Sequence, residues 1–507
     1  MSASYDIVII GGGHNGLVAA CYLAKAGKSV VILEKEESLG GATVSQQVFP
    51  EFQARLSRYS YLVSLLPQKI IDDLGLSFET LGRDVASYTP EVDGGLFVSS
   101  DWNSQTQESF SALTGSDSEF SSWKTFYNDV LHFAQVVAPT MLGPLPTRSE
   151  LRTAVNHPIW DALIEKPIGE VIEERFKNDL VRGVVLTDGL IGTFANAHDF
   201  AANRCFLYHL VGNSTGEWRV PKGGMGHLVK ELTNKAISLG VTFKTSTEVT
   251  GISSERVVTC SDGQSYTGQY ILANCAPQVL AKLMGTPAPQ SLEGSQVKIN
   301  MLLHKLPRLK SGVDPRQGFA GTFHFDERYS DLQKAYAQSA TGIVPDVIPA
   351  EMYCHTLTDT SILSPELVAS GYQTLTLFGI HTPAALFDKD NEGTKKEITA
   401  RLLRQLNRYL LDPIEECLAK NSDGTLCIEV KSPLDLEESI SLPRGNIFHK
   451  DLSFPFREDG TPVSWGVETS DPHIFLCGAG AVRGGGVSGI PGHNAAMAVL
   501  EGSLWQS

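Results

Sequence analysis

From Tyr5 to Ile10 the chain reads Y-D-I-V-I-I, a largely apolar, β-branched run. Such a run predicts a strand buried on both faces of a parallel sheet. Beyond a cluster of glycines, Leu17 to Ala26 reads L-V-A-A-C-Y-L-A-K-A, which predicts a helix closed by Gly27. Ser29 to Leu33 predicts a second strand, with Glu34 at its end. A similar order returns at the far end of the chain. There His473 to Gly478 predicts a strand, Ala479 to Asn494 a glycine-rich turn and Ala495 to Leu500 a small-residue helix. In the middle, Trp218 to Leu228 leads into a helix through Leu239, and Gly240 to Val249 predicts a strand. Arg256 to Tyr270 predicts a hairpin turning at Asp262-Gly263, and Tyr270 to Asn274 a return to the buried sheet.

The turn after the first strand, Gly11-Gly12-Gly13-His14-Asn15-Gly16, fits G-x-G-x-x-G at Gly11, Gly13 and Gly16. Gly11 permits the tight turn, Gly13 lets backbone approach a pyrophosphate, and Gly16 lets the helix pack closely on the strand. The free amides and positive end of the helix dipole then face two phosphates. Glu34 stands at the offset where an acidic side chain accepts from ribose hydroxyls. Strand, glycines, helix, second strand and acid in that order identify a dinucleotide site, which a lone glycine motif would not. Glu34 alone does not choose between NAD and FAD. Further on stand Gly40-Gly41-Ala42, a second glycine pair able to lie against an extended dinucleotide. This continuation resembles that of FAD-binding oxidoreductases, amine oxidases and phytoene desaturases among them, and implies FAD.

A chain of 507 residues exceeds a single hydrophobic core. The fold class expected is α/β, a discontinuous Rossmann-type FAD-binding domain with an interleaved α+β substrate domain. The first takes 1–84, 216–289 and 441–507, the second 85–215 and 290–440. No second G-x-G-x-x-G follows a strand in the middle, which speaks against a separate nicotinamide domain. A net charge of −16 excludes the basic surface that nucleic acid requires. None of the eight cysteines stands in C-x-x-C spacing, so they read as buried apolar residues of a reduced compartment and not as a metal site or redox dithiol. The N-terminus has no basic leader, the first arginine is Arg55, and no apolar run approaches the ~20 residues of a membrane helix. A cytoplasmic protein is expected. Tyr61 to Ile71 and the stretch 130–145 are apolar enough for peripheral contact with lipid, with core packing as the other reading.

Six stretches together resemble the phytoene desaturase-like FAD oxidoreductases. They are G-G-G-H-N-G-L-V-A-A at 11–20, S-R-Y-S-Y-L-V-S-L-L at 57–66, P-K-G-G-M-G-H-L at 221–228, S-P-L-D-L-E at 432–437, G-N-I-F-H at 445–449 and G-G-G-V-S-G-I-P-G-H-N-A-A at 484–496. Within that family the likeness is to the branch of pyridine nucleotide-disulfide oxidoreductase domain-containing protein 2, with relatives among desaturase-like carotenoid ketolases. The resemblance implies FAD held non-covalently near Gly11, Gly13, Gly16, Glu34, Lys35, Gly40, Gly41, Ala42, Val249, Gly478 and Gly489. One departure stands out: Ala481-Val482-Arg483 takes the place of the His-Pro usual before the last glycines.

Flavin carries the hard chemistry itself, so no catalytic triad or metal cluster is needed and no catalytic residue is assigned. Arg58 and His493 lie near the expected cofactor, each with a structural reading of equal weight. The expected activity is dehydrogenation of a small apolar molecule, polyene or lipid-like, by hydride transfer to flavin. A flavin amine oxidase and a FAD-stabilised interaction protein with little turnover are the alternatives.

Overall fold

The computed structural model describes residues 3–91 and 93–504 and contains two seven-stranded sheets. The first runs in the order Val249–Ile252, Val257–Cys260, Ser265–Ala273, Ala3–Ile10, Val30–Leu33, Thr242–Lys244, with Ile474–Leu476 also paired to Ser265–Ala273. Ala3–Ile10 is parallel to both its neighbours, and Ile7, Val8 and Ile9 are fully buried, as a strand covered on both faces must be. Ser265–Ala273 serves two partners on one edge. Its early residues pair antiparallel with Val257–Cys260, and Ile271, Leu272 and Ala273 pair parallel with Ile474, Phe475 and Leu476.

Three predicted boundaries move. The first helix is His14–Lys25, so Gly16 lies inside its first turn. The last helix starts at Ile490 and not Ala495; Pro491 fits its opening turn because no amide is required there. The stretch Gly240–Val249 is not one strand. Thr242–Lys244 stays in the parallel sheet, but Ser246 turns into the left-handed region (φ 51°) and Val249 opens a separate ribbon. Polar amides drive the break: Ser246 N donates to Glu36 O at 2.9 Å and Thr247 N to Glu34 O at 2.8 Å, so the segment folds over the second strand's end.

The second sheet runs Ile428–Lys431, Gln296–Leu303, Gln373–Ile380, Ala350–Tyr353, Thr322–Phe325, Val85–Glu91, Gly94–Ser99. Alternation divides its faces. Val297, Ile299, Met301, Leu375 and Leu377 share a buried core with Ile398, Leu402 and Leu406 of the helix Asn391–Leu406. The opposite face carries Lys298, Phe378, Glu351 and His324 in one row, each the register partner of the next. Residues 104–211 form a helical layer with its own aromatic core, including Phe110, Trp123, Phe126, Phe133 and Phe206. The segments between the parts of the first sheet thus supply a sheet and a helical layer. Apolar side chains of both stretches that could have met lipid point inward, Leu62, Leu65 and Ile70 in one, Val130, Phe133 and Val137 in the other. No helix among the described residues is long and apolar enough to cross a membrane.

The first and last helices cross at glycine. A Cβ at Gly492 would stand 2.0 Å from Asn15 O, so Gly492→Ala has to push the two helices apart. The expected loss is about 1–3 kcal/mol, read as a lower Tm in thermal unfolding. Gly251→Ala, whose Cβ meets nothing closer than 3.9 Å, leaves Tm unchanged.

Candidate functional site: a cavity with a polar and an apolar end

Above the carboxyl ends of the first sheet's parallel strands lies a cavity of about 690 Å³. Its polar end is built from the first strand–helix turn. Gly13 is the N-cap of the first helix and lines the cavity with Gly11, His14 and Asn15, so the helix's positive end opens onto it. Glu34 lines the same end, 8% exposed, and is fixed by two amides: Gly12 N donates to Oε2 at 2.7 Å and Glu36 N to Oε1 at 3.0 Å. Its remaining lone pairs are left for ribose hydroxyls. The second glycine pair docks on the first, with Gly40 N donating to Gly12 O at 2.9 Å. A Cβ at Gly41 would come within 3.5 Å of Gly13 Cα, so both loops present bare backbone to the space between them.

Of the expected residues, Gly11, Gly13, Glu34, Lys35, Gly41, Ala42 and Val249 line the cavity. Lys35 also donates to Ser441 Oγ at 2.8 Å, and Ala42 O accepts from Ser60 Oγ at 2.8 Å, so both tie neighbouring loops to the rim. Gly16, Gly40, Gly478 and Gly489 stand behind the wall. A Cβ at Gly16 would lie 2.6 Å from Gly11 O, at Gly40 2.6 Å from Val44 Cγ1, at Gly478 2.8 Å from Asn274 O and at Gly489 3.1 Å from Val18 Cγ2. Their work is close packing.

Several functional side chains escaped the sequence reading. Asn274 ends its strand under the glycine turn and donates to Gly11 O at 3.0 Å and Gly13 O at 3.4 Å. His14 and His449 line the cavity from opposite segments. Arg58 reaches the wall with its guanidinium already engaged: Nε and Nη2 donate to Glu429 Oε1 at 2.9 and 2.6 Å, and Nη1 to Gln46 Oε1 at 2.6 Å. His493 does not reach the cavity; its Nδ1 meets Asn494 Oδ1 at 2.9 Å and its ring sits edge-on to Tyr22. Arg483, at the departure from the family pattern, is 1% exposed and donates to Thr140 O and Trp465 O at 2.7 and 2.9 Å. It clamps the last glycine turn, whose Gly485, Gly486 and Val487 line the cavity.

The other end is apolar and aromatic, with Leu62, Leu65, Tyr208, Trp218, Phe378 and Phe448 in its wall. Lys298 also lines it, 2% exposed, its Nζ donating to Ser57 O at 3.0 Å and lying 5.3 and 5.7 Å from the Phe378 and Tyr61 ring centres. Burial disfavours its charged form and pushes its pKa well below the ordinary lysine range, opposed by the Glu429 charge. Behind this wall lies a buried acid–imidazole cluster. Tyr61 Oη donates to Glu351 Oε1 at 3.1 Å, Glu351 faces His324 across the strand pair, and His324 Nδ1 meets Glu327 Oε2 at 2.6 Å. His209 lines the cavity and is oriented by Asp188 at 2.7 Å. Burial raises the Glu351 carboxyl to about 7. Burial opposes charge on His324, yet Glu327 beside it raises its pKa overall.

Two outcomes follow. Removing the Asn274 amide releases two carbonyls of the glycine turn, so Asn274→Ala weakens FAD binding about 10-fold or more, measured by fluorescence titration of the apoprotein. The cluster dictates the second. Glu351 and His324 both hold a proton more tightly folded than unfolded, so stability falls as pH rises. The buried His14, His381 and His449, held near 4, 3 and 4 by burial, act in the opposite sense, but only below their ordinary pKa. Groups such as Lys298 contribute equally to both proteins, so the comparison isolates Glu351: between about pH 6.5 and 8 the wild type loses on the order of 1 kcal/mol of stability relative to Glu351→Gln. Chemical denaturation across that range measures it.

The comparisons with known proteins agree with the fold and with FAD as the cofactor. Residues 9–67 match the NAD(P)-binding Rossmann-like domain and 187–416 the flavin containing amine oxidoreductase family. The chain is 43% identical to uncharacterized protein Rv0897c of Mycobacterium tuberculosis, over 98% of this chain and 97% of that one. It is 29% identical to pyridine nucleotide-disulfide oxidoreductase domain-containing protein 2 of Mus musculus, covering 99% and 94%. Among solved structures, a putrescine oxidase mutant redesigned in its cofactor binding superposes with a TM-score of 0.61 at 16% identity, covering 100% of both chains, a likeness of fold. The cofactor is FAD, and the sequence resemblance to the branch of pyridine nucleotide-disulfide oxidoreductase domain-containing protein 2 holds. With a dinucleotide cradle at one end of the cavity and a relative matched from end to end, the chain is a FAD-dependent oxidoreductase and belongs to one family with Rv0897c.

Proposed function

We propose that the protein dehydrogenates a small apolar molecule, polyene or lipid-like. The observation that carries this reading is the composition of the cavity's inner end. Its wall is aromatic and aliphatic, and the lining carboxylates among the described residues, Glu34, Glu36, Glu248 and Glu438, belong to the dinucleotide end. A cationic substrate would lose its hydration there without gaining a counter-ion, whereas an apolar one gains by burial. Bound FAD supplies the two-electron acceptor.

The chain's own residues orient the substrate and manage its proton. Tyr61 and Phe378, with ring centres 4.7 Å apart, offer aromatic faces against which a flat apolar molecule can stack. Lys298, its basicity lowered by burial and its Nζ beside both rings, is placed to take the proton that leaves with the second hydrogen. Glu351 behind Tyr61 gives a further buried proton acceptor. Leu62, Leu65 and Phe448 keep the wall dry.

Amine oxidation is the second reading, favoured by the same aromatic pair and by the name of the superposing putrescine oxidase. With no carboxylate at this end, an amine would have to enter uncharged, and its turnover would rise with pH up to the amine's own pKa.

The test is anaerobic bleaching of the bound flavin. A polyene or fatty compound added in detergent is expected to reduce it, and Lys298→Met to slow that reduction about 10- to 1,000-fold. Bleaching by hexylamine or putrescine alone would establish the amine reading instead. Bleaching by NADPH, or by none of these, would overturn the proposal.

A further inference from the structure

Two histidines of the cavity wall take no part in the proposed chemistry. His14 is the first residue of the first helix; its Nδ1 meets Thr43 Oγ1 at 2.9 Å. Its Nε2 is buried and meets no partner at good hydrogen-bond geometry, while the Gly486 backbone lies close enough to favour the protonated ring. His449 comes from the segment that follows Gly445-Asn446-Ile447-Phe448, is 8% exposed, and its Nδ1 is buried without a partner. Both imidazoles line the one cavity, with Gly485, Gly486 and Val487 of the last glycine turn in the same wall.

His449 is also held under strain. Its φ is 65°, in the left-handed region that costs a non-glycine residue about 1 kcal/mol or more. The surroundings enforce it: His449 N donates to Asn446 O at 3.0 Å, and its carbonyl accepts from Gln278 Nε2 at 3.0 Å. A strained backbone at a cavity-lining residue with a buried, unpaired ring nitrogen adds one cost to another. An unsatisfied buried polar atom costs about 1–3 kcal/mol unless a ligand supplies the missing bond. The ring environment specifies which ligand atoms fit. Burial keeps both histidines neutral, at about 4 each, so each offers one N–H and one lone pair and no charge. Neutral imidazoles of that kind suit oxygen, either phosphate oxygens that accept or hydroxyls that both donate and accept.

We propose that His14 and His449 form an imidazole clamp on the oxygen-rich middle of the bound dinucleotide, its pyrophosphate or its ribityl chain. The clamp rests on FAD as the cofactor and assigns two binding side chains besides the fingerprint's glycines, His14 within that turn and His449 remote from it. It also explains why the strained His449 backbone is tolerated in the folded protein.

Apoprotein stripped of flavin provides the test, titrated with FAD by fluorescence and with ADP-ribose by competition. His14→Ala and His449→Ala should each weaken FAD about 10- to 100-fold. His449→Asn should retain most of the affinity, because asparagine tolerates the left-handed backbone and keeps an N–H near the ring nitrogen's place. ADP-ribose carries the pyrophosphate and lacks the ribityl chain. Equal weakening of both ligands places the clamp on the pyrophosphate, and weakening of FAD alone places it on the ribityl chain. The proposal is overturned if both alanine variants bind FAD within twofold of wild type. It is equally overturned if their loss of affinity comes with a lower apoprotein Tm, since the rings would then be packing residues. A wild-type apoprotein that takes up no FAD would be a different failure, that of the cofactor assignment itself.

Discussion

The site depends on how closely main chain meets main chain at the first strand–helix turn. A side chain at Gly16 would collide with Gly11 O, one at Gly492 with Asn15 O and one at Gly478 with Asn274 O, all at distances real Cβ atoms do not adopt. Three segments remote in sequence therefore touch through backbone alone. The helix is drawn onto the strand, its amides are lowered to the cavity floor, and Asn274 crosses beneath to hold the turn's carbonyls. The other parts of the polar end are fitted around this contact: Glu34 is locked by the Gly12 amide, and Gly40 by the Gly12 carbonyl.

That geometry was largely legible in the residues, because close backbone approach demands glycine and glycine is visible. Gly11 to Gly16, Glu34 and the Gly40-Gly41 pair announced both the fold and the polar end of the cavity. The ribbon after Thr242–Lys244 was less legible, since a polar turn bound by Glu34 and Glu36 carbonyls reads in sequence like the continuation of a strand. The apolar end could not be read at all. Lys298, Phe378, Glu351 and His324 come from four strands, and only pairing register brings them into one row. Each alone is an ordinary polar or aromatic residue of an alternating strand. Asn274 was seen as the end of a strand, but its role depends on a turn more than 260 positions away. Arg58 and His493 show the reverse: a suggestive place in the sequence, and partners that leave one pinned at the wall and the other outside it.

The two ends of the cavity also differ in how they handle charge. At the dinucleotide end, helix amides and fixed carboxylates are arranged for a ligand with phosphates and ribose hydroxyls. At the other end, ionisable groups are buried with few counter-ions, and burial drives Lys298 and Glu351 toward their neutral forms. A lysine and a glutamate whose charged forms are both disfavoured by burial can exchange protons at a lower cost than fully ionised groups in an apolar space. The row on the second sheet is thus a reactive surface kept electrically quiet.

The strand Ile474–Leu476 closes the parallel sheet against Ile271–Ala273, and the glycine turn behind it walls the cavity at Gly485 to Val487. On the ribosome, the first glycine turn leaves the exit tunnel hundreds of residues before these partners are made. The nascent chain cannot assemble a complete flavin pocket until synthesis is nearly finished, and the early strand must wait with apolar faces uncovered. Flavin capture is therefore a late event in the life of each molecule. A ribosome that stalls before the last strand would leave a long polypeptide without a working pocket, in need of chaperone protection or degradation.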